Sequence, residues 1–417
     1  MLSAPRMVSP PVCPASVFDP SCLSASGTCL IDASRPSSEQ PRSLCFTDPH
    51  EVLVAHTPDA VEPLLRKIDA ALSDGLYVAG SLAYEAGLPL MDVPARPVSL
   101  ASRATGEPLA WFGVYDAPDS FTDDAVARGL AAIPSAAAVQ DAAFGQARSA
   151  YRAAVSRIHH HIREGDVYQI NYTAPMHFRW TGDPRALYRR GRTRQRVPYG
   201  AFVNRGTDHL LSWSPELFFH ARGGRIVTRP MKGTIRRGHT PAEDQALREA
   251  LAADPKNRAE NLMIVDLLRN DLSRCCVPGS VRVPHLFTTE AYETVTQMTS
   301  TVEGRLVSGT TLGDVLRVLF PCGSITGAPK RRAMRIIRDL EPTPRGAYCG
   351  AIGYAGPEGA TFNVAIRTAR LAPDGSGTMG VGSGIVWDST ADAEYDECQL
   401  KGQFLWTPKA TSARTSA

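Results

Sequence analysis

The spacing of apolar residues along the chain predicts alternating helices and strands. Apolar residues recur at helical spacing over 57–73, and a second apolar stripe at helical spacing follows Ser149. Other apolar runs are short and bounded by glycine, proline or polar residues, which is typical of strands. They lie at 76–84, 111–115, 167–173, 217–219 and 226–227. The pattern predicts an α/β (α+β) fold.

The pattern also divides the chain into regions. Residues 1–44 are rich in proline and serine, with few bulky apolar residues, and are predicted to be a loose tail. An alanine-rich stretch before residue 141 suggests a boundary, so 45–140 forms an N-terminal region and 141–408 the main domain. Residues 409–417 are predicted to be a C-terminal tail.

Composition excludes several classes of protein. The 417 residues are 43% hydrophobic and 21% charged, which is ordinary for a globular protein. A net charge of +3 does not indicate a nucleic-acid partner, and the five arginines within 189–196 are interpreted as a solvated helix end. The nine cysteines form no CxxC pair, which favours free thiols in the cytoplasm. No apolar run approaches the ~18 residues of a membrane span, and no signal peptide is recognisable.

One lysine stands among residues that constrain the backbone. Lys232 lies between Pro230, which fixes its own φ, and Gly233, which permits a close approach to a ligand. We expect Lys232 on a loop just past a strand end. It could act as a nucleophile if its ammonium is desolvated or has cationic neighbours, which Arg229, Arg236 and Arg237 could supply. The alternative is an exposed loop lysine.

Two acidic segments are candidates for a cation site. The first contains Glu260 and leads into a helical pattern. In the second, Glu394, Glu397 and Lys401 are three and seven residues apart, so they share one helix face. Carboxylates one turn apart repel each other unless a cation lies between them, and Mg²⁺ commonly binds one or two carboxylates. A charged outer helix face remains the alternative.

A glycine-rich loop and a strand arginine could hold anions. The loop precedes a predicted helix, and its hydroxyls and glycines at Ser324, Thr326 and Gly327 suit an anion at a helix start. Its spacing differs from that of a Walker loop. Arg367, on a predicted strand, could pair with a carboxylate. We therefore assign these four residues as candidate substrate-binding residues.

Taken together, the motifs resemble those of the chorismate-utilising enzymes. The resemblance covers roughly residues 145–405 and lies in Ser214–Phe218, Pro230–Thr234, 260–271, 323–330, 365–368 and 382–401, in the family's order. It implies two β-sheets that face each other, helices outside, and an active site in the cleft between the sheets. It also implies that residues 45–140 complete the same body.

Single positions separate the reactions of this family. Members that add water to chorismate carry lysine at the position of Gln169, so the amide here argues against them. Anthranilate synthases usually have alanine at the position of Lys232, whereas aminodeoxychorismate synthases have Pro-x-Lys-Gly-Thr, as here. The resemblance implies that Glu216 protonates the 4-hydroxyl of chorismate, Lys232 attacks C2 and ammonia adds at C4. The product is 4-amino-4-deoxychorismate, a precursor of 4-aminobenzoate and folate; anthranilate synthesis is the alternative.

The resemblance assigns the remaining roles. Glu260 and Glu397 would hold Mg²⁺, with Glu394 close by. The chorismate carboxylates would bind the following residues: Arg367, Tyr348, Lys401, Gly382 and Gly384. Asn257 and Gln297 depart from the family pattern. No Gly-x-Cys-x-Gly glutaminase turn occurs in the sequence, so ammonia is expected from a separate glutamine amidotransferase subunit. The sequence leaves open whether the pathway is folate or secondary metabolism.

Overall fold

The computed structural model describes residues 17–95, 106–293 and 295–405, and its strands form two antiparallel sheets of ten strands each. The first sheet runs, in spatial order, through β16 (Gly327–Ala328), β8 (Gln169–Gly182), β20 (Ser376–Ile385), β19 (Thr368–Leu371), β10 (His209–Ser214), β9 (Tyr199–Asn204), β1 (Cys29–Asp32), β2 (Ser43–Phe46) and β6 (Asp119–Phe121), with β7 (Ala137–Phe144) paired to β8.

The second sheet is built in the same way from segments that are distant in sequence. It runs through β13 (Met231–Arg236), β15 (Val295–Arg305), β12 (Arg225–Arg229), β11 (Leu217–Arg222), β18 (Gly359–Val364), β17 (Ala351–Gly356), β4 (Tyr77–Leu82), β5 (Ala110–Tyr115) and β3 (Glu51–Ala55), with β14 (Arg282–Ala291) paired to β15. Strands from the N-terminal region therefore complete both sheets.

The two sheets pack against each other through apolar side chains. The ring of Phe46 on β2 lies 5.3 Å from that of Tyr115 on β5, and both side chains are buried. A polar contact also crosses between the sheets, because Asn363 Nδ2 on β18 donates to the carbonyl of Tyr199 on β9 at 2.8 Å. The expected α/β (α+β) fold with two facing sheets is confirmed.

Helices cover the outer faces and the edges of the cleft. They are α1 (Pro58–Ser73), α2 (Gly87–Leu90), α3 (Asp123–Ala131), α4 (Arg148–Arg163), α5 (Pro184–Arg194), α6 (Pro241–Ala253), α7 (Pro255–Ser273), α8 (Leu312–Leu319), α9 (Lys330–Leu340) and α10 (Ala391–Gly402). Helix α7 packs on β13 and β15, and α10 packs on β20 and α4. Within the described ranges, no helix has the length and apolar character that a membrane span requires.

The structure corrects the expected loose tail. Cys29–Asp32 forms a buried strand of the first sheet, and the Asp32 carboxylate lies 2.7 Å from Nε of Arg192, a buried residue of the supposed solvated helix end. The polar composition concealed this segment because one short strand and one buried ion pair suffice to anchor it. Residues 1–16 and the predicted C-terminal tail, 409–417, lie outside the described residues, and the proposed boundary at residue 140 falls within β7.

Candidate active site

Lys232 lies inside strand β13, not on a loop beyond a strand end. The pairing of β13 with β15 shifts register between Met231 and Thr234, so the strand bulges beside the lysine. Gly233 in this bulge has φ +91°, and a Cβ there would lie 2.9 Å from Oδ1 of Asn257 on α7. Glycine is therefore required where the first turn of α7 presses against the strand.

The Lys232 side chain is half-buried, and within the described ranges its ammonium forms no ion pair. Its Nζ lies 2.9 Å from the position that a Cβ of Gly384 on β20 would occupy. Burial lowers the pKa of Lys232, and the charge of Lys401 lowers it further, whereas Glu260, Glu216 and Glu397 oppose the shift. Desolvation disfavours the charged form of an amine, so more of Lys232 is neutral at a given pH than in water.

The arginines expected to assist Lys232 are engaged elsewhere. Arg229 Nη2 lies 2.8 Å from Oε1 of Glu39. The carboxylates of Glu243 and Asp244 pair with Arg236 and Arg237, each at 2.6 Å. The nearby cation is instead Lys401, on α10, because folding brings together residues that the sequence separates.

Glu216 occupies the buried end of the same cleft. It lies between β10 and β11, is 3% exposed, and accepts a hydrogen bond from Oγ of Ser324 at 2.6 Å. Burial raises the pKa of Glu216 to about 7, although Ser324 and Lys232 both act to lower it. A carboxylic acid with this pKa is partly protonated at neutral pH, as a general acid requires.

Two side-chain amides lie on strand β8, which faces Lys232. Gln169 and Asn171 on β8 are both buried. Neither amide atom of Gln169 has a hydrogen-bond partner in the described part of the chain, and its Nε2 lies 2.5 Å from the Cβ position of Gly384. A buried, unsatisfied amide is costly, so Gln169 has bonding capacity available for a ligand.

The predicted metal-binding acids come from two helices, α7 and α10. Glu260 on α7 is half-buried, and burial raises its pKa, with Glu394 and Glu397 contributing and Lys232 opposing. On α10, Glu397 lies 2.5 Å from Lys401 Nζ, and Glu394 accepts from Oγ of Ser389 at 2.8 Å. Among the residues that the structure describes, no three His, Cys, Asp or Glu side chains converge tightly enough to hold a metal ion by themselves.

The glycine-rich loop uses its polar groups within the protein. Ser324 holds Glu216, and Oγ1 of Thr326, which is fully buried, donates to the carbonyls of Cys322 and Gly323 at 3.2 and 3.1 Å. A Cβ on Gly327, in β16, would lie 2.2 Å from the carbonyl oxygen of Gln169. The loop therefore fixes Glu216 and β8, and its binding role stays a prediction.

The remaining predicted binding residues lie on turns and on β20. Arg367 follows β18 with φ +50°, so it is not on a strand. Burial lowers its pKa to about 10, and no carboxylate in the described ranges forms an ion pair with it. Tyr348, on the turn before β17, packs its ring over Gly380, and Gly382 accepts from Lys401 Nζ at 2.9 Å.

Arg345 and its partners form a set of supporting residues that no sequence motif predicts. Arg345, buried to 2% side-chain exposure, pairs with Glu341 at 2.7 Å and donates to the carbonyls of Ile325 and Asn171 at 2.8 and 2.6 Å. Its own backbone N–H donates to Glu85 at 2.7 Å. No hydrophobic periodicity marks these residues. The one sequence feature that could have indicated them is Arg345, an arginine directly before a glycine.

Similarity to known proteins agrees with this geometry. Residues 34–407 match the family described as chorismate binding enzyme. The chain is 44% identical to aminodeoxychorismate synthase component 1 of Klebsiella aerogenes over 259 residues, or 60% of this chain and 57% of that protein. It is 43% identical to anthranilate synthase component 1 of Streptomyces coelicolor over 255 residues, or 61% and 50% of the two chains. The matches thus span little more than half of these relatives.

Solved structures share the fold. Anthranilate synthase component I of Streptococcus pneumoniae superposes with a TM-score of 0.74 at 25% identity, over 88% of this chain and 92% of that one. The menaquinone-specific isochorismate synthase of Escherichia coli gives 0.73 at 17% identity, over 94% and 92%, which shows the fold alone. Because the family match extends over most of the chain, this protein belongs to the chorismate-binding enzyme family.

Proposed function

We propose that this protein is an enzyme that aminates chorismate at C4 to give 4-amino-4-deoxychorismate. The observation that carries the proposal is the placement of Lys232, an amine without an ion-pair partner among the described residues, in the same cleft as Glu216, an acid with a pKa of about 7. One group can attack while the other protonates a leaving oxygen.

The proposed reaction has two balanced steps. In the first, neutral Lys232 attacks ring C2, the double bonds shift, the C4–O bond breaks, and Glu216 gives its proton to the departing hydroxyl, which leaves as water. In the second, ammonia attacks C4, the double bonds shift back, and Lys232 leaves C2 as a neutral amine. The new C4 ammonium returns a proton to Glu216. The sum is chorismate plus ammonia giving the amino product plus water.

Anthranilate synthesis is the second candidate, because the chain is nearly as similar to an anthranilate synthase component 1 as to an aminodeoxychorismate synthase component 1. Ammonia must then attack C2 itself. Lys232 argues against that course, since its Nζ would occupy the space beside C2. Gly384 leaves room for the Lys232 Nζ, which lies 2.9 Å from the position that a Cβ there would occupy.

The three acidic residues of α7 and α10 suit Mg²⁺. Glu260 is half-buried with a raised pKa beside two further carboxylates, and that repulsion would be relieved by a divalent cation. Glu260 and Glu397 would hold the ion and Glu394 would lie close by, with substrate oxygens completing the coordination. When bound, Mg²⁺ would neutralise a chorismate carboxylate. Arg367, Tyr348, Lys401 and the β20 backbone at Gly382 and Gly384 would hold the substrate's carboxylates.

A second protein would supply ammonia. The relatives named component 1 imply a partner component, and we propose a glutamine amidotransferase subunit in that role. The eight cysteines in the described ranges are free thiols, which supports a cytoplasmic location.

A product assay tests the proposal. Purified protein is incubated with chorismate, an ammonium salt at alkaline pH and Mg²⁺, and a separate 4-amino-4-deoxychorismate lyase is then added. We expect 4-aminobenzoate to form only after the lyase is added, and no anthranilate at any time. Anthranilate from the wild-type protein would overturn the proposal in favour of the second candidate.

A further inference from the structure

Two carboxylates from the N-terminal region hold a turn at the rear of the cleft. The turn, called here the Arg345 loop, comprises residues 345–349. Glu85 accepts the backbone N–H of Arg345 at 2.7 Å and that of Gly346 at 3.1 Å, and Glu107 accepts that of Ala347 at 3.1 Å. Three consecutive amides are therefore satisfied by side chains and not by a sheet ladder.

The conformation of the loop depends on these contacts. Gly346 has φ +61°, and a Cβ there would lie 2.4 Å from Oε2 of Glu107. Cys349 also has φ +61°, a region that non-glycine residues seldom occupy, so the surrounding contacts must impose it. Tyr84, next to Glu85, accepts the guanidinium of Arg345 over its ring at 4.3 Å and donates its N–H to the Gly346 carbonyl at 2.8 Å.

The Arg345 loop also touches the parts of the active site that act on the substrate. The Arg345 side chain donates to Ile325, next to Ser324, and to Asn171 on β8. Cys349 Sγ lies 3.9 Å from Nδ2 of Asn171, and the Tyr348 ring lies against Gly380 on β20. A shift of the loop would therefore displace both the Tyr348 ring and the β8 amides.

We propose that Glu85 is a positioning residue for chorismate binding. Its ionised carboxylate holds the Arg345 loop through hydrogen bonds from two backbone amides, and the affinity of the cleft for chorismate depends on these hydrogen bonds. The inference rests on the proposed function, since it takes chorismate as the ligand. Glu85 touches no substrate atom in this scheme and acts through the Arg345 loop.

Because only ionised Glu85 accepts both amides equally, these hydrogen bonds are sensitive to pH. The groups that face Glu85 are the Arg345 guanidinium, the Glu107 carboxylate and the Tyr84 phenol, with Glu341 beyond Arg345. Burial raises the pKa of Glu85 to about 7, and Glu107 contributes, whereas the backbone amides of Arg345 and Glu85 and the Arg345 charge oppose the shift. A protonated carboxyl has lost one acceptor oxygen to its O–H and cannot accept both amides equally. Chorismate affinity should therefore decrease as the pH falls below 7.

The test uses Glu85→Gln in the full-length protein, with ammonia as the nitrogen source. We expect KM for chorismate at pH 8 to rise about tenfold, the value of one charge-assisted hydrogen bond, with a much smaller change in kcat. The variant should also lose the part of the pH dependence of KM that Glu85 causes between pH 6 and 8. Hydrogen exchange of the peptide that contains 345–349 should become faster.

Glu62→Gln is the matched control. Glu62 belongs to the same N-terminal region but pairs with Arg317 on the outer helices, at 2.7 Å, so KM and exchange should stay at wild-type values. If Glu85→Gln does not fold, Glu85→Asp retains the charge with a shorter reach and should raise KM while keeping its pH dependence. Faster exchange with an unchanged KM would overturn the proposal, because Glu85 would then be merely structural. The product is identified separately, so release of anthranilate would refute the proposed function without altering the KM comparison.

Discussion

Two lysines stand in glycine-containing motifs, Lys232 in Pro230–Thr234 and Lys330 in Gly323–Lys330, and the fold gives partners to only one of them within the described ranges. Lys330, in the Gly323–Lys330 segment, is 6% exposed, with its Nζ 2.6 Å from Oδ2 of Asp271 and 2.7 Å from the Leu319 carbonyl. Lys232 is half-buried, within the described ranges its Nζ makes no hydrogen bond or ion pair, and its pKa is lowered.

The difference separates a structural lysine from a reactive one. A buried ammonium that is fully paired has its desolvation offset and stays charged. An ammonium that is removed from water without a partner loses its proton more readily, and the neutral amine that results is a nucleophile. Both motifs are equally conspicuous in the sequence. The partners that distinguish them are supplied by helix α7 and by the end of α8, which the motif pattern does not reveal.

The largest effect expected is on Lys232. Lys232→Ala should reduce kcat by about 10³-fold or more, as removal of a nucleophile does, with the fold intact. Wild-type protein quenched without ammonia should carry an adduct of chorismate less water on Lys232, detectable by peptide mass spectrometry, and the variant should carry none.

A conservative variant sharpens the same test. Lys232→Arg keeps a positive charge but cannot give up its proton, so its loss of activity should match that of Lys232→Ala. Lys67→Ala, which removes an exposed lysine paired with Glu51 at 3.4 Å, serves as the control. Substantial activity in Lys232→Arg would mean that the lysine acts as a positioned charge.

Lys330 should show the converse behaviour. Lys330→Met leaves the buried Asp271 carboxylate without its cation, so the free energy of unfolding in urea should fall by about 3–5 kcal/mol. Activity per folded molecule should persist. Replacing Asp271 by Leu as well should restore most of the stability. A well-folded Lys330→Met protein with no activity would instead place Lys330 in the reaction.

A smaller effect is expected at the proposed metal ligands. Glu397→Ala should raise the Mg²⁺ concentration for half-maximal activity at least about tenfold, with little change in stability, because the ion pair that it loses with Lys401 is half-exposed. Asp396→Ala, which removes the neighbouring carboxylate paired with Arg148 at 2.5 Å, is the control and should behave as wild type. Normal activity of Glu397→Ala at limiting Mg²⁺ would contradict the metal assignment.

Sequence reasoning recovered much of this fold because local signals mark its elements. The helical spacing over 57–73 corresponds to α1, and the acidic helix face corresponds to α10. It failed where a long-range contact decides the outcome. Asp32 joins the first sheet with Arg192 and Tyr188 as partners, and neither partner is close to Asp32 in sequence.

The same division applies to the candidate site. Lys232, Glu216 and Glu260 stand in compact motifs, and the structure brings them within electrostatic reach of one another. The environment of Lys232 was wrongly predicted, since the flanking arginines pair with acids that only folding brings near. Glu85 and Arg345 escaped notice because their role lies in backbone amides and carbonyls, and those contacts leave no residue pattern.

The smallest expected effect concerns Ser324, which lies in the same Gly323–Lys330 segment as Lys330 and donates a hydrogen bond to Glu216. Ser324 donates to the Glu216 carboxylate and so favours its ionised form, which acts to lower a pKa that burial has raised to about 7. Glu216 must be protonated to act, so activity should decline as the pH rises through this pKa. Ser324→Ala removes the donor, and the pKa of Glu216 should rise by about one unit, the equivalent of one charge-assisted hydrogen bond. The alkaline limb of the kcat profile should therefore move to higher pH, whereas Ser324→Thr keeps a hydroxyl and should leave it in place.

Glu216→Gln should abolish that limb and reduce kcat by roughly 10²–10⁴-fold. A limb that stays fixed in Ser324→Ala but disappears in Glu216→Gln would mean that the serine does not tune the acid, and that the loop serves Glu216 by packing alone.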